Sequence, residues 1–492
     1  MKKTLLLLAS ICLLCSFSPR PAALDDICKK MDDDIFKAYC YEHFDVNKDG
    51  IVAPYEVVRV DSLNLAHKGI KSLKGIEYFP NLAKLYCQEN ELTVLDLRKN
   101  INLVDLKCSE NKLTRLILGA QEKLEYLHCE DNLLTQLPVS HCPSLAVLDC
   151  RNNQLTTIAV NANSKLQRLW CSNNLLTSIG VSYNPALENF DCSGNQLDCL
   201  DLAANSELRK LNASNNLLTA IDLRNNSELK ELDLSGNQIE NIFLSYNEKL
   251  SSVNLDGNKL RTIDISGNNA LKYLNIDNNA LTSLIFNHNE SLTELSCNGN
   301  KLYMLDVNGL ENLNTLSCSH NKLTSLLIKG TYYLRSLNCD YNSLTNLEFV
   351  DTPRLQYISC AHNELTTLGL FGIPTLISLI CDHNKLTSLT GFSSVLLQRI
   401  ICSNNNLTYL DLSYLISLTQ LCCSNNQFRA LDFKDCRELN VLMCNSNDLM
   451  NLDLSNNKNL TVVSCENNPL ETITLGCRIP EFFYPASATV KE

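Results

Sequence analysis

Four side chains that carry oxygen ligands fall at fixed intervals in the twelve-residue run DVNKDGIVAPYE, from Asp45 to Glu56. Asp45, Asn47 and Asp49 take places one, three and five, and Gly50 supplies a sharp turn at six. Ile51 offers its backbone carbonyl at seven, and Glu56 at twelve can bind with both oxygens. An all-oxygen donor set of this spacing is the chemistry of Ca2+. A solitary loop of this kind reads first as a structural calcium clip, with a calcium switch or a metal-free acidic turn as the alternatives.

The second set of reactive side chains is the cysteines, 24 in all. Fifteen recur in one frame: Cys87, Cys108, Cys129, Cys150, Cys171 and Cys192, then Cys297 and every twenty-first residue through Cys465. Equivalent residues on adjacent parallel strands lie about 4.8 Å apart, whereas a disulfide wants Cβ atoms about 3.8 Å apart. A single file of thiols also fails to converge four ligands on one zinc. The file therefore reads as compact apolar filler, free cysteine being among the most buried residue types. Nor do the histidines gather into a Ser-His-Asp or Cys-His arrangement, and the surface position expected for Cys422 has no near base. No enzymatic activity and no catalytic residue is expected.

The frame that positions these groups is a repeat. Nineteen consecutive segments of 21 residues, from Leu82 to Pro480, carry Leu at the first place and Asn at the ninth without insertion or deletion. The pattern LxxLxCxxNxLxxLxLxxxxx is a leucine-rich repeat. At its sixth place four middle units carry Ala213, Leu234, Leu255 and Ile276 instead of Cys. Apolar and variable places alternate around Leu85 and again around Leu95 and Leu97, the period of half-buried strands. The expected fold is an α/β-type repeat solenoid: a curved, right-handed coil with a parallel β-sheet on its concave face and a small helical N-terminal cap. Stacked coils bury leucines that one coil cannot bury alone. At about 4.8 Å per strand the coils would span on the order of 90 Å. The ninth-place asparagines, Asn90 through Asn468, read as structural partners for turn backbone.

Residues 1–23 join Lys2 and Lys3 to an apolar run and a small-residue stretch, the composition of a secretory signal peptide. The residues ahead of Cys12 and Cys15 lack the small residue that precedes a lipidated cysteine, so export without a lipid anchor is the expectation. Residues 24–59 form an EF-hand-like helical cap, with Ile27, Met31, Ile35 and Phe36 at helical spacing. Cys28 and Cys40 there are either a disulfide or two buried thiols. Residues 60–480 are the solenoid, one 22-residue coil followed by the nineteen of 21, and 481–492 form a capping tail. The net charge of −12, or −15 without Lys2, Lys3 and Arg20, argues against nucleic acid as a partner. No transmembrane segment is expected in the mature chain.

Specificity should lie at places three, five, seven and eight, which the core leaves free to vary. In the early coils they hold Tyr86, Tyr126, His128, Arg168 and Trp170, an aromatic and basic set of the kind enriched at binding hot spots. The middle coils present Asp191, Asn212, Asp233, Asn254 and Asn275, read as a solvated polar strip. The late coils present Ile380, Ile401, Cys422 and Met443, an exposed apolar column suited to a protein contact, a dimer seam or cover by the tail.

The segment GIEYFPNL from Gly75 to Leu82, the helical cap before it and the LxxLxCxxNxLTxLDL units together resemble the internalin family of bacterial surface proteins, most closely its cysteine-ladder, internalin J-type branch. The resemblance implies a surface or secreted adhesin that binds a protein of host or neighbouring cells, with roles in virulence or biofilm. A glycan ligand and a structural self-association module are the alternatives, and the chain is expected to be a monomer or weakly self-associating. No immunoglobulin-like or mucin-binding repeats follow the coils and no LPxTG signal is present, so the resemblance does not extend to covalent wall anchoring.

Overall fold

The computed structural model describes residues 25–491, so the leader expected at 1–23 lies outside the described residues. The chain divides into two compact units, Met1–Leu166 and Gln167–Glu492. In the first unit a 3-10 turn, Ile27–Lys30, is followed by a helix over Asp34–Phe44 and a single helical turn over Pro54–Val57. The helical spacing from Ile27 to Phe36 is thus interrupted, because Asp33 acts as an N-cap. Its Oδ1 accepts from the amides of Ile35 and Phe36 at 3.0 and 2.9 Å. Ile35 accordingly faces solvent, while Ile27, Phe36 and Cys40 are fully buried. Asp33 Oδ2 accepts from the amides of Lys71 and Ser72, which ties the helix to the first coil. Phe36 and Phe44 pack on Phe79 of the GIEYFPNL segment, covering the open end of the leucine core. Cys28 and Cys40 are two buried free thiols.

The coils follow from the alternation. In the first unit, strands Ser62–Asn64, Lys84–Tyr86, Asp105–Lys107, Tyr126–His128 and Val147–Asp149 pair in parallel, each aligned with the same places of the next coil. Their central leucines, Leu63, Leu85, Leu106, Leu127 and Leu148, are buried to within 1% of full burial. A slip of one residue would turn those leucines outward, so the register is fixed by the core. In the second unit an equivalent row runs from Arg168–Trp170 through Asn189–Asp191 and Lys210–Asn212 to Val462–Ser464. Glu481–Phe483 then adds a last strand to it, and Thr489–Lys491 does the same for Thr472–Leu475, so the tail closes both strand edges.

The second alternation is less regular than expected. It forms paired strands at Val94–Asp96 with Arg115–Ile117 in the first unit. In the second unit it does so at Met304–Asp306 with Ser325–Leu327, at Thr367–Gly369 with Ser388–Thr390, and near the C-terminus. Elsewhere the inward residue still packs, as Ile158 and Ile179 do, without a strand ladder. Pro138 has no amide to contribute to one.

All fifteen ladder cysteines are fully buried, as filler should be. Burial pushes the Cys87 thiol up to about 12, and raises those of Cys108, Cys318 and Cys339 well above the ordinary thiol value. The ninth-place asparagines work as staples. Asn363 donates to the carbonyls of Cys339, Cys360 and Ala361 at 3.0, 3.2 and 3.1 Å and accepts from the Leu344 amide at 3.0 Å. A further ladder occupies the nineteenth place, which the sequence pattern left as variable. Asn205, Asn226, Asn247 and Asn268 are fully buried there, and Asn226 Nδ2 donates to the carbonyls of Leu202 and Asn205 at 3.1 and 2.8 Å.

Candidate functional site

With the inward places committed to packing, chemistry is left to the outward places of the main strand row. In the first unit Tyr86, Lys107, His128 and Asp149 stand side by side on successive strands. Tyr86 and His128 are therefore next-but-one neighbours, with Lys107 between them, its ammonium 5.0 Å from the Tyr86 ring centroid. The Tyr86 hydroxyl donates to Asp105 Oδ2 at 2.7 Å, which raises its pKa. His128 faces Asp149, whose two oxygens accept the Arg151 fork at 2.9 and 2.6 Å. Burial lowers the His128 pKa and raises that of Glu130. Tyr126, on the same strand as His128, is 41% exposed. The first-unit part of the expected aromatic patch is thus a mixed aromatic and charged surface.

In the second unit Arg168 and Trp170 share the first strand, and Trp170 opens a groove of 470 Å³. Asp191, Asn212, Asp233 and Asn254 line it, with Lys210, Glu231 and Tyr273 along its side. The polar strip is ordered rather than merely solvated. The Ser193, Ser214 and Ser235 hydroxyls donate to Oδ1 of Asp191, Asn212 and Asp233 at 2.7, 2.8 and 2.7 Å. Asn254 Nδ2 donates to Asp233 Oδ2 at 3.2 Å, and Lys210 pairs with Glu231 at 2.7 Å. Asp191, Asn212 and Asp233 are thus each oriented by a serine two residues on, while Asn254 accepts from the Asp256 amide instead. An aromatic face beside a row of fixed acceptors suits a ligand that offers an apolar surface and hydrogen-bond donors.

The late column is contiguous: Ile380, Ile401, Cys422 and Met443 pair in sequence across adjacent strands. It is less exposed than expected. Cys422 is only 9% accessible and Ile380 and Ile401 are half-buried, leaving Met443 as its exposed member at 39%. The side chains of neighbouring strands shield one another, and burial raises the Cys422 pKa.

In the cap loop, Asp45 turns into the loop and accepts from the amides of Asp49 and Gly50 at 3.1 and 2.9 Å. Asn47 Oδ1 accepts from the Asp49 amide at 2.9 Å, and Asp49 Oδ1 from that of Ile51 at 2.9 Å. Glu56 bridges the loop ends, accepting from Val46 and Ala53 at 3.1 and 2.8 Å. Gly50 has φ +80°, the left-handed turn required at place six. The oxygen-only donor set and this inward winding fit a calcium ion, while the same hydrogen bonds also shape the loop by themselves.

A family model described as Leucine Rich Repeat matches residues 228–248. A solved functional domain of InlJ from Listeria monocytogenes, described as including a cysteine ladder, is similar over 92% of this chain and 82% of its own, at 25% identity and a TM-score of 0.55. The chain is an internalin-like leucine-rich-repeat protein. This internalin-like chain is also similar to YopM from Yersinia enterocolitica, at 25% identity over 91% of this chain and 98% of that one, with a TM-score of 0.75. An internalin, InlF from Listeria monocytogenes, shares the fold at 20% identity over 67% of this chain and all of its own, with a TM-score of 0.55. No curated protein sequence matches the internalin-like chain. Among its described residues no helix is long and apolar enough to cross a membrane.

Proposed function

We propose that this internalin-like protein is a surface or secreted, non-enzymatic scaffold that binds a protein partner through its main strand row and so mediates adhesion to host or neighbouring cells. The observation that carries this reading is the groove beginning at Trp170, where serine-oriented Asp and Asn side chains lie beside an aromatic ring. Stacking core residues explain none of those side chains. The related InlJ and YopM structures support an interaction role for the fold. Capture of partners from target-cell surface extracts with the chain lacking residues 1–23 tests it: Trp170→Ala should reduce the captured partner at least about tenfold, the scale of a hot-spot loss. Equal capture by the variant removes the groove from the account.

A glycan ligand is the second reading, favoured by the same pairing of an indole face with fixed hydrogen-bonding groups, and a glycan array distinguishes it. Self-association through the Met443 end of the late column, as in a biofilm module, predicts sedimentation that depends on concentration. Export is proposed through residues 1–23, and the mass of the mature N-terminus tests both cleavage and lipidation.

For the cap, the proposed ligand is a structural Ca2+ held by the side chains of Asp45, Asn47, Asp49 and Glu56 and by the Ile51 carbonyl. Calorimetric titration should show heat with wild type that is lost in Asp45→Ala. Absence of heat in wild type leaves the loop to its own hydrogen bonds.

A further inference from the structure

Four consecutive coils of the second unit carry rings at place eight: His320, Tyr341, His362 and His383. The rings stack face to face, with centroids 4.3, 4.1 and 4.2 Å apart and planes within 11° of parallel. All four residues are left-handed, at φ between 51° and 54°. Asn, Asp, Gly or Glu fills this place in most other coils, Asn404 and Asn425 among them. Nothing in coil packing asks for imidazoles there, because the place faces outward. At the end of the column Asp382 Oδ2 lies 2.7 Å from His383 Nδ1, and ligand atoms of His362, Asp382 and His383 all lie within 4.8 Å of one another.

We propose that His362, His383 and Asp382 bind one divalent transition-metal ion, Zn2+ or Cu2+, in a two-imidazole, one-carboxylate site that bridges successive coils. Imidazole selects Zn2+ and Cu2+ over Ca2+ and Mg2+, which take oxygen ligands. Metal–ligand bonds of about 2.0–2.1 Å in a tetrahedral site put ligand atoms roughly 3.4 Å apart. Closure from the observed separations therefore needs the two imidazoles to turn out of the stack. Their exposure allows it: His383 is exposed and His362 and Asp382 are half-buried. An ion entering between His383 Nδ1 and Asp382 Oδ2 takes the place of the proton that joins them, and that proton leaves to solvent. Three protein ligands leave a coordination position for water or for a donor from a bound partner. A second cluster, His128, Glu130 and Asp149 in the first unit, is the weaker candidate, because Arg151 already engages both Asp149 oxygens.

The test is calorimetric titration of the chain with Zn2+ and nitrogen hyperfine structure in the electron paramagnetic resonance of added Cu2+. One saturable Zn2+ site is expected, with two imidazole nitrogens on Cu2+. His362→Asn and His383→Asn should each weaken binding at least about tenfold, the double variant should abolish it, and His320→Asn should leave it unchanged. Asn stands at the same place with φ of 55° and 54° at Asn404 and Asn425, so these variants keep the turn, and their circular dichroism and thermal midpoints check that they do. No saturable Zn2+ heat in wild type overturns the proposal. So does undiminished affinity in the double variant, which would direct attention to His128.

Discussion

Raising the pH from about 9 to about 11 should unfold this protein, beginning in the coils that bury thiols. Desolvation holds the Cys87 thiol near 12, against 9.0 for the ordinary group, and pushes Cys318 and Cys339 well above 9.0. A thiol whose pKa is higher folded than unfolded contributes stability that is fully present below pH 9 and is lost as the pH rises toward its folded value. Each such group loses up to about 1.4 kcal/mol per pH unit in that window. A ladder of more than ten therefore forfeits on the order of 10 kcal/mol per unit, comparable with the whole stability of a typical domain, about 5–15 kcal/mol. Circular dichroism against pH reads the transition, and pulsed thiol labelling locates its start. The four coils with Ala213, Leu234, Leu255 and Ile276 at the sixth place carry no thiol there, so they should be the last to open. Retention of the native spectrum through pH 11 would contradict the burial argument.

Asn363→Ala, like truncation of the other ninth-place asparagines, is expected to be among the most damaging single changes to a polar residue. It strips one donor group from three carbonyls and one acceptor from the Leu344 amide. With each orphaned buried group costing about 1–3 kcal/mol and partial relaxation of the turn, the net loss should be about 3–5 kcal/mol. The comparison is Asn225→Ala, an exposed asparagine with a single 3.2 Å bond to the Ala203 carbonyl, whose cost should stay within about 0.5 kcal/mol. Because coils can open independently, hydrogen exchange resolved along the chain is the appropriate measurement. Amides of the coils containing Asn342, Asn363 and Asn384 should lose protection together. Equal effects of the two variants would remove the staple role.

The sequence was most informative where one place has one physical job. Leucine at the first place, Asn at the ninth and, in fifteen of the nineteen coils, Cys at the sixth each meet the same environment wherever they recur, so their burial and bonding are legible from recurrence. The nineteenth-place asparagines carry the same kind of signal, but Gln121, Cys142, Leu310 and Thr331 interrupt it. Asn226 and its neighbours therefore passed for loop residues, although their amides close the far side of the coil. Cys422 and the middle polar strip were harder for a different reason. Exposure on a sheet depends on the size of the neighbours on the adjacent strands, so Ile401 and Met443 shield Cys422, and serines two residues on turn Asp191 and Asp233 into fixed groups. The break before Asp34 was concealed because Asp33 competes for the helix start through its side chain, which apolar spacing does not register. The ring column at His320 to His383 is not legible as a unit because only four coils carry it and two residue types share it, and sequence does not show that the rings lie face to face.

The central claim is a division of labour: fixed places stack the coils, and outward places of the main strand row bind. Hydrogen exchange of the chain with and without its captured partner tests this most directly. New protection should fall on the strands from Arg168–Trp170 to Tyr273–Asn275 and disappear in Trp170→Ala. Protection confined to the second row, at Met304–Asp306 or Thr367–Gly369, with Trp170 indifferent, would contradict it.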